Sequence, residues 1–492
     1  MQTPTIDQAM QLALQHYNSG QLQQAEQQCR WILARNADHA DALNLLGIVA
    51  FRVGRADISL KLIARAVTLN PNSPEYHNNL GNVLLASGQY GPAAAAYRRS
   101  LAIKPGVAEI YNNLGNALSG VREYVQSLEA QQTSIRLNPN RPEPYSNTGT
   151  VLSELGKNDE AIAAYRAALA LKPDFAEVHF NLSGCLLLKG DFETGWEEYE
   201  WRTKCVAVPD PREEFRRPVW DGGNLVGKTI LLQAEQGLGD TLQFMRYVPM
   251  VAARGGRVLV ECQPELIPVL KQLDVVSEWF PFGGSPPAFD IWARLLSLPC
   301  IFGTTLATIP APTKLLKADA SRSEQFRVQL DRLIRDQPRR PKVGLVWAGR
   351  PEHKNDHNRS MLLAQLLPLL ESGAAVFFSL QKGPSASQIA ALPGHVKILD
   401  LTPELHNFAD TAALIDNLDL VIGVDTSVMH LAGAMGKPAW LLLPFVPDWR
   451  WLLDREESPW YPSLRLFRQK LIGDWSDVVQ KITEALGVLC NP

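Results

Sequence analysis

Apolar positions in the first 200 residues fall at the three-to-four-residue spacing of helices that bury one face. A longer period lies over that spacing. A small residue returns every 34 positions, at Ala13, Gly47, Gly81, Gly115, Gly149 and Ser183. Proline keeps the same step at Pro71, Pro105, Pro139 and Pro173, each after Asn or Lys. A second glycine series runs Gly20, Gly54, Gly88, Gly156 and Gly190, with Arg122 in its one gap. Each unit reads as helix, short turn, helix and stop, because proline ends the second helix and presets the next turn. The period predicts five whole hairpins over residues 6–175 and a partial sixth over 176–202. One hairpin cannot bury its apolar face alone, so stacking yields an α-solenoid with a concave groove.

The pattern then changes. After an irregular connection at 209–223 come short apolar runs that suit buried strands. They are TILLQA (229–234), RVLVEC (257–262), KVGLVWAG (342–349), AVFFSLQ (375–381), VKILDL (396–401), LDLVIGVD (418–425), AWLLLP (439–444) and LRLFRQ (464–469). Amphipathic segments such as TLQFMRYVPMVAARG and DVVQKITEALGVL lie between them. Alternation of this kind predicts parallel sheets covered on both faces. A charged helix running into a Pro/Arg linker, 321–342, divides the region into two Rossmann-like α/β lobes at 203–335 and 336–492. Open parallel sheets bind ligands at the carboxyl ends of their strands, so a shared ligand belongs in the cleft between lobes.

Composition narrows the function classes. The 492 residues are 46% hydrophobic and 20% charged, with a net charge of −3, which gives no basic surplus for nucleic acid. The N-terminus MQTPTIDQAMQLALQ is too polar for a secretory leader. The most apolar stretch, 414–443, is broken by Asp416, Asp419, Asp425, His430 and Lys437, so no transmembrane segment is expected. Six scattered cysteines without a Cys-x-x-Cys pair suit a reducing cytoplasm and offer neither a disulfide framework nor a zinc site.

Candidate chemistry falls in three places. Asn79, Asn113, Asn147 and Asn181 recur at the repeat period, two residues before the small residue. A row of amides on the inner helices can hold a peptide backbone or tie neighbouring repeats together. Gly-Leu-Gly-Asp at 237–240 follows a strand, but Leu242 stands where a dinucleotide fingerprint needs its third glycine, and no Gly-Lys-Ser/Thr follows. What remains is a tight turn presenting Asp240 near a helix start, where a carboxylate can take a proton or cap the helix. The third place is the set of loops in the second lobe. Arg359 with Ser360 opens a helix suited to a phosphate. Lys382 can hold a diphosphate and Gln381 can hydrogen-bond a base or ribose. In LVIGVDTSVMHLAGAMGKP, Asp425 ends a strand, Thr426 and Ser427 start a helix, and His430 lies a turn further on, which makes an anion site of the helix N-terminus. Asp425 suits organising that turn. His353 and His357 are four apart, but the Pro- and Asn-containing loop removes the helical spacing a metal pair would use. Trp449, Arg450, Trp451 and Trp460 can wall a cleft or pack the lobes.

These residues resemble known families. The repeats look like tetratricopeptide repeats, and their fusion to a two-lobed α/β region resembles the protein O-linked N-acetylglucosamine transferases, whose asparagine ladder the Asn79/113/147/181 series matches. EQGLGDTLQF and GVDTSVMHLAGAMGKP resemble the ADP-heptose lipopolysaccharide heptosyltransferases, and the whole chain resembles bacterial tetratricopeptide-repeat glycosyltransferases. The resemblance implies a GT-B pair of lobes and an inverting, metal-independent glycosyltransferase with no cofactor beyond a nucleotide-sugar co-substrate, a UDP-sugar ahead of an ADP-sugar. It casts Asp240 as general base, and Asp425, Thr426, Ser427 and His430 as the donor-diphosphate turn. Lys382 resembles the phosphate-holding lysine of the O-linked enzymes, here set in SLQKGP. The acceptor is expected to be a protein held by the repeats. A lipid-linked or surface glycan acceptor, and an inactive nucleotide-sugar-binding scaffold, are the alternatives.

Overall fold

A computed structural model describes residues 4–205, 216–335 and 338–490. Part of the connection expected at 209–223, residues 209–215, lies outside the described residues. The chain divides into two compact units, Met1–Val178 and His179–Pro492.

The first unit is a run of helix pairs from α1 (Ile6–Asn18) to α10 (Asn158–Leu171). The small-residue series is explained by close approach. A Cβ on Gly47 would meet Ile63 at 2.5 Å, one on Gly81 or Gly149 would meet Tyr97 or Tyr165 at 2.6 Å, and one on Gly115 would meet Gln131 at 2.4 Å. In each case the partner lies sixteen residues on, on the second helix of the same hairpin. The second series marks the turn between the two helices. Gly20, Gly54, Gly88 and Gly156 all take positive φ, and Arg122 adopts φ 63° at the same place. The two tyrosines reach back across their hairpins: the Tyr97 hydroxyl donates to Asn82 Oδ1 at 2.8 Å and that of Tyr165 to Thr150 Oγ1 at 3.3 Å.

The second unit begins at His179, inside α11 (Ala176–Lys189), and so takes in most of the sixth hairpin, which α12 (Phe192–Tyr199) completes and a 3-10 turn continues to Lys204. The periodicity places this hairpin with the solenoid. Packing places it with the α/β region, since Phe192, Trp196 and Tyr199 belong to the same buried core as Ile230, Phe244 and Trp460.

All eight runs become strands. In chain order these are β1 (Thr229–Gln233), β2 (Arg257–Cys262), β5 (Lys342–Val346), β6 (Val376–Ser379), β7 (Ile398–Asp400), β8 (Leu420–Val424), β9 (Ala439–Leu443) and β10 (Leu464–Arg468). Two more, β3 (Glu278–Pro281) and β4 (Ile291–Arg294), escaped the sequence reading. Each has four residues and sits at an edge of the first sheet, so neither needs a long apolar run. Strand order is β3-β2-β1-β4 in the first sheet and β10-β9-β8-β5-β6-β7 in the second. Every ladder is parallel. The charged helix forms at Ala320–Leu333, between the sheets in sequence. This is the α-solenoid with parallel α/β lobes that the sequence pattern implied, and it fits the GT-B pair that the resemblance implied. Among the described residues, no helix is long and apolar enough to cross a membrane.

Candidate active site

Two strand ends build the site. β1 runs out into Glu235, Gln236 and Gly237, and α13 (Leu238–Phe244) starts immediately after. Asp240 sits in the first turn, and its Oδ2 accepts the Gly237 N–H at 2.8 Å. The capping role weighed from the sequence is therefore present. Its Oδ1 accepts a hydrogen bond from Arg450 Nη2, so the acid is also half of an ion pair. The glycines are not there for a left-handed turn, because neither Gly237 nor Gly239 has positive φ. Gly239 is required by proximity: a Cβ there would lie 2.8 Å from His430 Cδ2.

His430 belongs to α16 (Ser427–Ala434), which follows β8; Ala320–Leu333 and Phe408–Asp416 are α14 and α15. The acid turn of one lobe thus touches the anion turn of the other, which spacing alone cannot reveal. Asp425, at the end of β8, accepts Trp451 Nε1–H on Oδ2 at 2.9 Å. His430 Nε2 lies 3.6 Å from Oδ1, an ion-pair rather than a hydrogen-bond separation. The Asp425 carbonyl accepts Arg359 Nη1–H at 3.0 Å. Burial alone would raise the Asp425 pKa, but His430, Trp451 and Arg359 together bring it below its ordinary value. Thr426 is the N-cap of α16, yet its hydroxyl does not cap, and Oγ1 is buried with no partner. The first N–H groups of a helix also lack partners within it. An unsatisfied hydroxyl beside such N–H groups can receive an anionic oxygen.

The remaining expected residues divide. Ser427 is in the first turn of α16, next to Thr426. Arg359 ends a short turn, Asp356–Arg359, and braces the Asp425 carbonyl while its Nε bonds Asp356 at 3.2 Å. Lys382 follows β6, and its ammonium donates to the Leu405 carbonyl. The order β8-β5-β6 sets its backbone two strand spacings from the Thr426 turn, about 10 Å. Two expectations need correction. Gln381 cannot read a base, because Oε1 accepts the Trp347 and Ala348 N–H groups at 3.0 and 2.8 Å. Its Nε2 donates to the Ala348 and Lys382 carbonyls at 3.0 and 2.8 Å, so the amide is saturated as a clamp on the loop after β5. His430 does not face an anion openly. It is 5% exposed, its Nδ1 is 3.0 Å from Tyr461 OH, and its ring is enclosed by Gly239, Trp451 and Tyr461. It holds Asp425 instead.

In the first unit, Asn79 Nδ2 donates to Asn44 Oδ1 at 3.1 Å, Asn113 to Asn82 at 3.1 Å and Asn147 to Asn112 at 2.8 Å. The inter-repeat role is present, and it leaves each Nδ2 one further N–H. Asn181 is an exposed residue of α11 in the second unit. His353 and His357 lie on the loop around Asp356. Partial burial and then Arg359 push the His353 pKa down, while Asp356, Asp425 and Asp240 pull it up. Among the described residues, no group of three or more His, Cys, Asp or Glu is placed to hold a metal ion.

Sequence reasoning left Arg450 and Trp451 undecided and missed Tyr199, Arg202 and Glu235. Arg450 is buried between lobes. Its Nε donates to Gln243 Oε1 at 2.6 Å and its Nη1 to Asp448 Oδ1 at 2.8 Å, besides the bond to Asp240. Burial works against its charge, and Asp448 and Asp240 more than restore it. Trp449, beneath the guanidinium at 4.2 Å, packs edge-on against Trp196 of α12 at 5.2 Å. On the other side, Arg202 grips Glu235, Nη2 to Oε1 at 2.6 Å and Nε to Oε2 at 3.3 Å. Gln236 Nε2 donates to Tyr199 OH at 3.3 Å. The interleaved Trp and Arg of PDWRW was the one signal pointing here.

Parts of the chain match known proteins. Residues 320–441 match the model for glycosyltransferase family 9 (heptosyltransferase). Residues 10–74, 45–108 and 78–142 match a tetratricopeptide repeat model, and 149–183 match a second TPR model. Protein FlbA of Caulobacter vibrioides (strain ATCC 19089 / CIP 103742 / CB 15) is 28% identical over 334 residues, covering 63% of this chain and 54% of that protein. The chain thus spans about half the length of this curated relative. Among solved structures, a MamA protein is 21% identical with TM-score 0.32, covering 35% of this chain and 94% of MamA. Pseudomonas aeruginosa pilF is 19% identical with TM-score 0.37, covering 43% of this chain and 96% of its own. The chain joins tetratricopeptide repeats to a GT-B-type α/β region carrying a glycosyltransferase family 9 (heptosyltransferase) domain.

Proposed function

We propose that the chain is an inverting glycosyltransferase that moves a sugar from a nucleotide-sugar donor to a hydroxyl of a protein acceptor engaged by the repeats, in the cytoplasm, where its scattered cysteines stay reduced. The observation that carries this reading is the apposition of Asp240 to the Thr426 turn through the Gly239–His430 contact. An acid and an anion receptor on opposing strand ends are what a single displacement uses. The acceptor hydroxyl gives its proton to Asp240 as its oxygen attacks the anomeric carbon. The bond from that carbon to the diphosphate breaks, and its electron pair leaves on the phosphate oxygen. Thr426 Oγ1, the N–H groups of Ser427 and Val428, and the Lys382 and Arg359 cations offset that charge, so the reading needs no metal. One base and one displacement invert the anomeric centre.

Thermal stabilisation by UDP, ADP, GDP and CMP, each with and without magnesium, tests the donor site. The reading expects one diphosphate to raise Tm without magnesium, and Thr426→Ala and Lys382→Ala to reduce the shift. No shift at millimolar nucleotide in folded protein sinks it and leaves the scaffold alternative. The acceptor is tested separately, by whether Asn79→Ala/Asn113→Ala/Asn147→Ala loses protein substrates while keeping nucleotide binding.

A further inference from the structure

Arg450 occupies a position that the proposed chemistry does not yet use. One guanidinium faces two carboxylates, Asp240 and Asp448, with Gln243 Oε1 on its Nε. Its neighbour Trp451 donates to Asp425, the residue preceding the Thr426 hydroxyl. The arm carrying both residues is strained. Leu452 has φ 54° and ψ −169°, and Asp454 has φ 49°, values that L side chains rarely adopt. Arg468 ties the arm down, with Nη2 to the Trp451 carbonyl at 2.6 Å and Nε to the Arg455 carbonyl at 3.0 Å. A buried cation bonded to the acid, on an anchored arm whose next residue holds Asp425, is arranged for more than packing.

Resting on the glycosyltransferase reading, we infer that Arg450 is a further catalytic residue: it is held by Asp240 until that carboxylate accepts the acceptor's proton, and it then serves the leaving diphosphate. In the resting site, one positive charge answers two negative ones. When the acceptor hydroxyl transfers its proton, Asp240 becomes neutral and its claim on Nη2 weakens. The acceptor oxygen bonds to the anomeric carbon in the same step. The carbon–oxygen bond to the diphosphate breaks, and its electrons stay on the phosphate oxygen. The charge lost at Asp240 reappears on that oxygen, and Arg450, still anchored by Asp448, is the cation this proton transfer releases to meet it. Proton and charge balance without a further reagent. The same pair also tends to keep the diphosphate from binding firmly before the proton moves.

The test measures binding of whichever of UDP or ADP stabilises the wild-type protein more. Asp240→Asn mimics the proton-bearing carboxyl and should bind that nucleotide about tenfold more tightly, equivalent to about 1.4 kcal/mol. Arg450→Gln alone should bind no more tightly than wild type, because it leaves Asp240 and Asp448 without the cation that answers them. The double variant should lose the gain. Where Arg450→Gln does not fold, Arg450→Lys replaces it, since an ammonium keeps the charge but not the two-pronged reach. Equal or weaker binding by Asp240→Asn overturns the inference while the donor site stands. A gain that persists in the double variant overturns it as well. Wild-type protein that binds neither nucleotide overturns the donor-site reading, and this inference with it.

Discussion

Gly239→Ala tests the central contact of the site, and the sign of its effect decides the matter. Gly239 has ordinary helical φ and lies in the first turn of α13. On propensity alone, alanine there should stabilise the protein by about 0.5–1 kcal/mol, through helix preference and a less flexible unfolded chain. The structure says otherwise. The new Cβ would stand 2.8 Å from His430 Cδ2, 3.3 Å from Nε2 and 3.5 Å from Cγ. The first distance is about 0.7 Å inside the lower edge of comfortable carbon–carbon contact, ~3.5 Å. The ring cannot easily retreat, because Tyr461 holds Nδ1, Trp451 packs at 5.4 Å and Asp425 lies beyond Nε2. Overpacking of this kind costs about 1–3 kcal/mol, so the net expectation is a loss centred on about 1 kcal/mol and reaching about 2.5 kcal/mol. Urea denaturation reads it as a lower midpoint at unchanged slope. Gly487→Ala is the matched control: that glycine is also helical, its Cβ would meet nothing within 4 Å, and alanine there should raise the midpoint. If Gly239→Ala raises the midpoint as Gly487→Ala does, the two turns are not in contact as described, and the assembly of the site fails.

Three further outcomes are expected. Trp451→Phe removes the indole N–H from a carboxylate and should cost about 1.5–3 kcal/mol at neutral pH. Because the folded Asp425 pKa is depressed, its contribution is complete above the ordinary carboxylate value and fades as pH falls through the folded one. The two proteins' stabilities should therefore converge in acid, and a gap that stays constant down to pH 2 would refute the assignment. Thr426→Ala deletes an unpartnered hydroxyl and should leave stability within about 0.5 kcal/mol of wild type, while nucleoside diphosphate binding weakens several-fold by calorimetry. Arg122→Gly relieves an L residue at φ 63° on an exposed turn and should stabilise the repeat unit by about 1 kcal/mol; a lower melting temperature would show that the arginine side chain does something at that turn.

What could be read from the sequence was whatever repeats or alternates. The 34-residue period fixed the hairpins because a Cβ at Gly47, Gly81, Gly115 or Gly149 collides with the facing helix, so the requirement recurs with the geometry. The apolar runs gave eight strands because fully buried parallel strands have to be apolar. What escaped was whatever depends on a partner distant in the chain. Nothing local distinguishes Gln381, which clamps a loop with four hydrogen bonds, from an amide open to a ligand. His430 looks ligand-facing in DTSVMH, but Gly239 and Tyr461 come from 191 residues before and 31 after to enclose it. Asp240 was legible as a cap or a base, but its pairing with Arg450 across 210 residues was not.

The sixth hairpin shows why a period can identify an element and still misplace it. Ser183 and Tyr199 keep the sixteen-residue spacing of Gly81 with Tyr97 and Gly149 with Tyr165. The next position differs. Asn82 and Thr150 give the earlier tyrosine hydroxyls a partner within the hairpin, whereas the sixth unit has Gly184 there, which has no side chain to offer. Tyr199 is left to take its hydrogen bond from Gln236 in the acid turn. Three residues on, Arg202 is 1% exposed, a burial that a cation tolerates only when it is fully answered. Glu235, Glu200, Ser297 and the Tyr199 carbonyl supply that answer. Removing the hairpin would leave Glu235, beside the turn that carries Asp240, with the looser partner Arg294 at 3.7 Å, and would uncover the face of Trp449 that packs on Trp196. A terminal repeat usually protects a solenoid by turning a polar face to water. Here it does the reverse, carrying an apolar face and a buried arginine into the α/β core, so the hairpin is repeat-like in its folding but belongs to the α/β architecture in its packing.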